Sequence, residues 1–362
     1  MKKRVLALVM ATAMAASLAG CSAKEEAAPA ETQAAAETEA AEAAAQAEGE
    51  GSGETIKIIC PYGVGGTADA IARKYALVAN NHSDYNFIVE NMTGGDGFAA
   101  ATYYAEQPTD TKELLVYGYG VTCRYELGTK YQTEVVDFDR HEFHPIATID
   151  DRTWILYITP DQDLAGILDK MKNGGVKMSG GNALSDPHLC LGTLGSLEGG
   201  NVMVIPYDGG AAQMKALTDG EVDVFVGTTQ AGQDAVEAGT IKPILAFGDV
   251  EFEGFVGPEG PISVPGIAGD AKAPELDPAK DYSPAILIGG GTIATRTGAD
   301  QAWIDEMVEV SKAVWADPEY YEWIESIMLN KREAYDQDAV DFVNGIAEKG
   351  VAAFELLSGQ AQ

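Results

Sequence analysis

The chain is most constrained at residues 59–73, where an apolar run passes into a glycine turn and the turn passes into a helical pattern. The turn is Gly63-Val64-Gly65-Gly66, and the pattern after it carries Asp69 and Arg73 at i,i+4 spacing. A strand–turn–helix of this kind points free backbone N–H groups and the positive end of a helix dipole at one spot. That spot suits an anion such as a carboxylate. A similar turn recurs at Asn91-Met92-Thr93-Gly94-Gly95-Asp96-Gly97. If the two preceding strands are parallel neighbours, both turns open at the same sheet end, where open α/β sheets bind ligands.

The first residues read as an export signal. Lys2, Lys3 and Arg4 precede a mostly apolar stretch at 5–18, too short and Ala-rich for a membrane span. It ends at Leu18-Ala19-Gly20-Cys21, a lipobox-like order that makes Cys21 the lipidated first residue of the mature chain. Residues 22–53 are mostly Ala, Glu, Gln, Gly and Ser without an aromatic residue, too little to bury against the entropy of ordering. We read them as a tether. The remainder, 54–362, is long enough for two lobes. A net charge of −32, from 56 acids and 24 bases, argues against nucleic acid and against electrostatic binding to anionic lipid. It leaves room for an anionic ligand, because a local nest of N–H groups overrides a distant field. Cys60, Cys123 and Cys190 remain after Cys21, an odd number that allows one bridge but reads more simply as buried thiols. No Cys/His spacing resembles a metal site, and no cofactor is expected.

Strand and helix patterns alternate. Strands are expected at 56–59, 87–90, 114–117, 154–158, 176–178, 202–205, 222–226, 244–247 and 285–288. Helices are expected at 67–80, 98–106, 164–171 and 211–217, with a helical C-terminal part. Residues 251–283, rich in Pro, Gly and Asp, break the alternation and read as a long ordered loop. The alternation implies parallel sheets with right-handed crossovers.

Four segments in order resemble the substrate-binding proteins of tripartite tricarboxylate transporters, the Bug family. Pro61, Gly65, Gly66, Asp69, Ala72 and Arg73 match the family's first loop, with Tyr62 in place of Phe. Val89-Glu90-Asn91 and Gly94 match the second loop, and Pro187-His188-Leu189 follows a Gly/Ser-rich turn as in the family. Pro206-Tyr207-Asp208-Gly209-Gly210 with Ala216-Leu217 and Gly220-Glu221-Val222-Asp223 matches the last segment. The resemblance implies a type II periplasmic-binding-protein fold of two α/β lobes with a ligand cleft between them. The lobes would be 54–158 with 285–362, and 159–284. It implies capture of a small carboxylated metabolite, a di- or tricarboxylate or related organic acid, for a membrane permease of two further subunits. The protein would then be extracytoplasmic and held to the membrane through its lipid anchor only. The expected ligand contacts are Tyr62, Gly65, Gly66, Thr67 and Asp69 of the first loop, and Asn91, Gly94, Gly95, Asp96 and Gly97 of the second. The second lobe would add Ser179, Gly180, Asn182, Ser185, Tyr207, Asp208 and Gly209. The chain departs from the family pattern at Val64, where a second Pro is usual, and at Gly95-Asp96-Gly97, where the family reads Ala-Gly-Gly. Asp96 puts an acid beside the expected carboxylate. Either its side chain points away, or the ligand carries a cationic or hydroxyl group there.

Each residue also has a plainer role. Gly65 and Gly66 serve any turn. Thr67 serves as a helix N-cap worth about 1 kcal/mol, Asp69 and Arg73 as an i,i+4 pair, and Asn91 as a local cap. A phosphate-binding loop is excluded, since no Gly-Lys-Ser/Thr follows the turn. A ligand sensor for a membrane receptor stays open beside transport. A secreted hydrolase is the weaker alternative, because the chain has neither a Gly-x-Ser-x-Gly elbow nor a convincing Ser–His–Asp set.

Overall fold

The computed structural model describes residues 53–207 and 209–359. The export signal, Cys21, the tether up to residue 52 and Asp208 lie outside the described residues.

The apolar run near the start forms β1 (Thr55–Cys60). Its Ile56, Ile58, Ile59 and Cys60 are fully buried, so the strand is covered on both faces, as parallel-sheet strands are. Helix α1 (Thr67–Asn81) buries the stripe Ala68, Ile71, Ala72, Tyr75, Val78 and Ala79 that its period sets up. Then come β2 (Asn86–Asn91), α2 (Phe98–Ala105), β3 (Leu114–Gly118), α3 (Tyr119–Tyr131) and β4 (Phe143–Arg152). The chain crosses over at Thr153 into β5 (Trp154–Ile158), α4 (Leu164–Asn173), β6 (Val176–Gly180), α5 (Asp186–Leu197) and β7 (Val202–Pro206). The second half continues with α6 (Gly210–Thr218), β8 (Val224–Thr228), α7 (Thr229–Glu237) and β9 (Lys242–Ala246). A hairpin, β10 (Phe252–Gly257) and β11 (Gly260–Val264), precedes the returning strand β12 (Gly289–Arg296). Helices α8 (Gln301–Ala316), α9 (Pro318–Ser326) and α10 (Gln337–Ser358) end the chain.

Two five-stranded sheets result, ordered β2-β1-β3-β12-β4 and β7-β6-β8-β5-β9. Their plans match. Three parallel strands are followed by an antiparallel strand, which is a crossing segment, and then by an antiparallel edge strand. This is the two-lobed α/β architecture that the resemblance implies.

Three sequence expectations are corrected. The strand at 154–158 pairs with β8 and β9 and belongs to the second sheet, so the lobes divide at Thr153 rather than after 158. Residues 251–283 contain the antiparallel β10–β11 pair. The returning strand is not at 285–288 but starts at Gly289. Ala285 and Leu287 are buried in the second-lobe core, whereas Gly289, Gly290 and Gly291 are the first paired residues of the strand, opposite Arg152, Asp151 and Asp150. Glycine is needed there: Gly290 has φ +138°, and a Cβ on it would lie 2.5 Å from the Asp150 carbonyl oxygen.

Helix α10 ties the lobes together. Val343 and Ile346 enter the first-lobe core beside Tyr117 and Cys123, and Ala353 enters the second-lobe core beside Leu194. Its Gly350 lies so close to α3 that a Cβ would come within 2.5 Å of Cys123 Sγ. Gly350→Ala gains about 1 kcal/mol of helix propensity but overpacks the contact by about 1–3 kcal/mol. The urea midpoint is therefore expected to fall with an unchanged m-value. A midpoint that rises would show that the helices part freely. Cys60, Cys123 and Cys190 are buried and free.

Candidate ligand-binding cleft

Between the sheets lies a cleft of about 280 Å³. Tyr62, Thr67 and Asp96 line it from the first-lobe loops, Gly120 and Arg124 from α3, and Arg152, Trp154, Gly289 and Gly290 from the crossing strands. The second lobe contributes Gly180, Gly181, Ser185, Asp186, Pro187, Gly210 and Gln213, with Phe225 to Thr228 and Ala231 as a further wall.

The starts of five helices meet here, marked by Thr67, Gly120, Asp186, Gly210 and Thr228. In α1, α3, α5 and α6 no side chain caps the first turn. Only α7 is capped, by the Thr228 hydroxyl accepting from Ala231 N. Uncapped first-turn N–H groups and aligned dipoles make the cleft a receptor for negative charge without a metal. Among the described residues no group of His, Cys, Asp or Glu could hold one.

One cation also faces the cleft with free donors. Arg152 gives Nε to Asp150, its neighbour on β4, and among the described residues its terminal nitrogens have no hydrogen-bond partner. Asp150 is fully buried, and burial raises its pKa against the pull of Arg152. Beside Arg152, the Trp154 indole N–H is buried without an acceptor. Arg124 is different, because four of its five N–H donors are engaged. It pairs with Glu134, donates Nη1 to the carbonyls of Gly95 at 3.0 Å and Asp96 at 3.1 Å, and stacks over Phe98.

Of the residues expected to touch ligand, Tyr62, Thr67, Asp96, Gly180 and Ser185 line the cleft. Asp69 does not. Its buried carboxylate accepts from Gly65 N at 2.9 Å, Arg73 Nε at 3.0 Å and Asn91 Nδ2 at 2.7 Å. Asn91 also donates to Tyr62 O at 2.9 Å and accepts from Arg73 Nη2 at 2.9 Å. The motif Asp69–Arg73–Asn91 is thus a brace that fixes the first loop to the second. Gly65 and Gly66 shape the turn above it. Gly94, Gly95 and Gly97 all have positive φ and present Asp96, itself at φ 53°, to the cleft. Gly97 has no room for a side chain, since a Cβ would meet Val121 at 2.6 Å.

On the second lobe, buried Ser179 donates to Gln213 O at 2.9 Å. Asn182 Nδ2 reaches across the mouth to Asp96 Oδ2 at 3.3 Å. Tyr207 turns its hydroxyl to Glu221 at 2.5 Å and is not part of the cleft wall; Gly209 is the N-cap of α6. His188 Nδ1 lies 2.6 Å from Ala183 O, a local bond, and burial lowers its pKa.

Arg152, Trp154 and Asp186 were missed from the sequence. Asp150-Asp151-Arg152 reads as a solvated polar turn before a strand. The Ser185-Asp186-Pro187 order marks a helix start, and that was the available signal for Asp186.

Comparison with known proteins fits this geometry. A family model described as tripartite tricarboxylate transporter family receptor matches residues 71–250. A UPF0065 protein of Bordetella pertussis is 27% identical over 194 residues, 52% of this chain and 59% of that relative, so the chain spans under two thirds of it. Among solved structures, R. palustris Rpa4515 with adipate superposes with a TM-score of 0.71 at 18% identity, covering 84% of this chain and 97% of that one. MatC (Rpa3494) from Rhodopseudomonas palustris with bound malate gives a TM-score of 0.65 at 16% identity, covering 84% and 99%.

Proposed function

Since the chain belongs to the tripartite tricarboxylate transporter receptor family, we propose that it is an extracytoplasmic solute-binding lipoprotein. It captures a small carboxylated metabolite in the cleft and delivers it to a membrane permease of two other subunits. The observation that carries this reading is the free guanidinium fork of Arg152 facing the same small cavity as four uncapped helix starts. A carboxylate placed there gains charge-assisted hydrogen bonds from the fork and dipole stabilisation from the helices. The adipate and malate held by the two structural neighbours support the ligand class. Nothing in the site calls for catalysis.

A thermal-shift panel of mono-, di- and tricarboxylates tests the reading. A ligand at a hundred times its Kd stabilises the fold by about 2.7 kcal/mol, and a panel without any shift rejects it. Anchoring is tested separately: Cys21→Ser should move the protein out of the membrane fraction, and retention without lipid would refute the lipobox. Tyr207→Phe is expected to leave the affinity of the best panel ligand within about 0.5 kcal/mol, because the phenol is engaged by Glu221. A tenfold loss by calorimetry would bring Tyr207 into the bound cleft.

A further inference from the structure

The cleft sorts its polar groups by sign. Donors gather at the crossing strands, where Arg152 has free terminal nitrogens and the Trp154 N–H is unpaired. An acceptor stands at the start of α5. Asp186 is 5% exposed and lines the cleft, and its Oδ1 is buried without a hydrogen-bond partner. Its Oδ2 faces Gly120 so closely that a Cβ there would come within 3.1 Å. Asp96 adds a second carboxylate to the same cleft from the opposite lobe.

We propose that the ligand is an amino acid, seated with its ammonium group on Asp186 and its carboxylate on the fork of Arg152. The proposal rests on the carboxylate reading and narrows its substrate class.

Charge decides between this ligand and a plain di- or tricarboxylate. The charged groups facing Asp186 are Asp96, Arg124 and Arg152, and the Cys123 thiol lies against it. Arg124 is committed to Glu134, to the Gly95 and Asp96 carbonyls and to the Asp96 carboxylate at 3.5 Å, so its charge is already shared between two acids of the protein. A second ligand carboxylate at this end would become a third anion beside Asp96 and Asp186, where the one nearby cation, Arg124, already serves Asp96 and Glu134. An ammonium group instead supplies the donor that Asp186 Oδ1 lacks. It also offsets the repulsion from Asp96, which adds to burial, the larger cause, in lifting the Asp186 pKa to about 7. The departure of Gly95-Asp96-Gly97 from the family pattern then acquires a use, since Asp96 adds negative potential where the ligand is positive.

Calorimetric titration of the mature full-length protein at pH 7.5 with matched acids tests this. The sets are aspartate, malate and succinate, and glutamate, 2-hydroxyglutarate and glutarate. The amino member of at least one set should bind at least about tenfold tighter than its des-amino partner, the scale of one charge-assisted hydrogen bond. Asp186→Asn should erase that preference by weakening the amino member toward its des-amino partner. Asp96→Asn, on an exposed loop, should reduce the preference without disturbing the fold, and so covers the case of an unfolded Asp186 variant. If in neither set the amino member binds more tightly than its des-amino partners, or if the preference survives both substitutions, the amino-acid assignment is overturned and the carboxylate reading stands. If no member of either set binds, the amino-acid assignment falls, and the wider carboxylate panel decides the carboxylate reading.

Discussion

Arg152→Met is expected to weaken carboxylate binding by about 10- to 100-fold, the worth of a charged hydrogen bond, and to destabilise the protein by about 3–5 kcal/mol. The two losses have different origins. Binding loses the fork that faces the cleft. Stability suffers because Asp150, fully buried behind Arg152, loses its cation while its Oδ1 already lacks a partner. An uncompensated charge in the interior is far more costly than an absent pair. The double variant Asp150→Asn/Arg152→Met should therefore recover most of the stability in urea denaturation and none of the affinity in calorimetry. Wild-type affinity in the double variant would remove Arg152 from the site. Wild-type stability in the single variant would mean that Asp150 is neutral in the native state.

Stability should also carry the mark of Asp186. Burial first, and then the charge of Asp96, raises its pKa from 3.8 to about 7, while Arg124, Arg152 and the Cys123 thiol pull the other way. The folded protein thus holds this proton more tightly than the unfolded chain does. The contribution is full below about pH 4 and is lost as the pH rises through about 7. Asp186→Asn removes the titration. The unfolding free energy of the variant minus that of the unliganded wild type should increase from pH 4 to 7 and level off above, by a few kcal/mol in total. Subtracting the curves cancels the many other carboxylates, and a hydrogen bond lost through the amide would shift the difference by a constant only. A flat difference across this range would show that Asp186 is ionised in the folded state throughout.

The brace at Asp69, Arg73 and Asn91 shows where sequence reading reached and where it stopped. The spacing of Asp69 and Arg73 gave the ion pair, and the glycines gave both turns. Whether Asp69 touched ligand or scaffold depended on Asn91, which arrives from the neighbouring strand through the parallel pairing of β1 with β2. The lobe division went astray for a related reason. The apolar run at 154–158 declares a strand but not which sheet it joins, and its partners β8 and β9 lie far along the chain.

By itself the sequence determined the alternation of strands and helices, the two glycine turns of the first lobe and the buried stripe of α1, while the two-lobed class came from its length and its family resemblance. The first three depend on backbone preference and hydrophobic period, which neighbouring residues set. Only the tertiary structure decided that Arg152 and Asp186 share one cleft. Pairing β12 with β4 brings Gly289 opposite Arg152, and α5 carries Asp186 against Gly120 of the other lobe. Polar residues that look solvated in the chain become buried there, with partners supplied by distant segments. Their chemistry comes from burial and from the charges around them, and neither is a property of the local sequence.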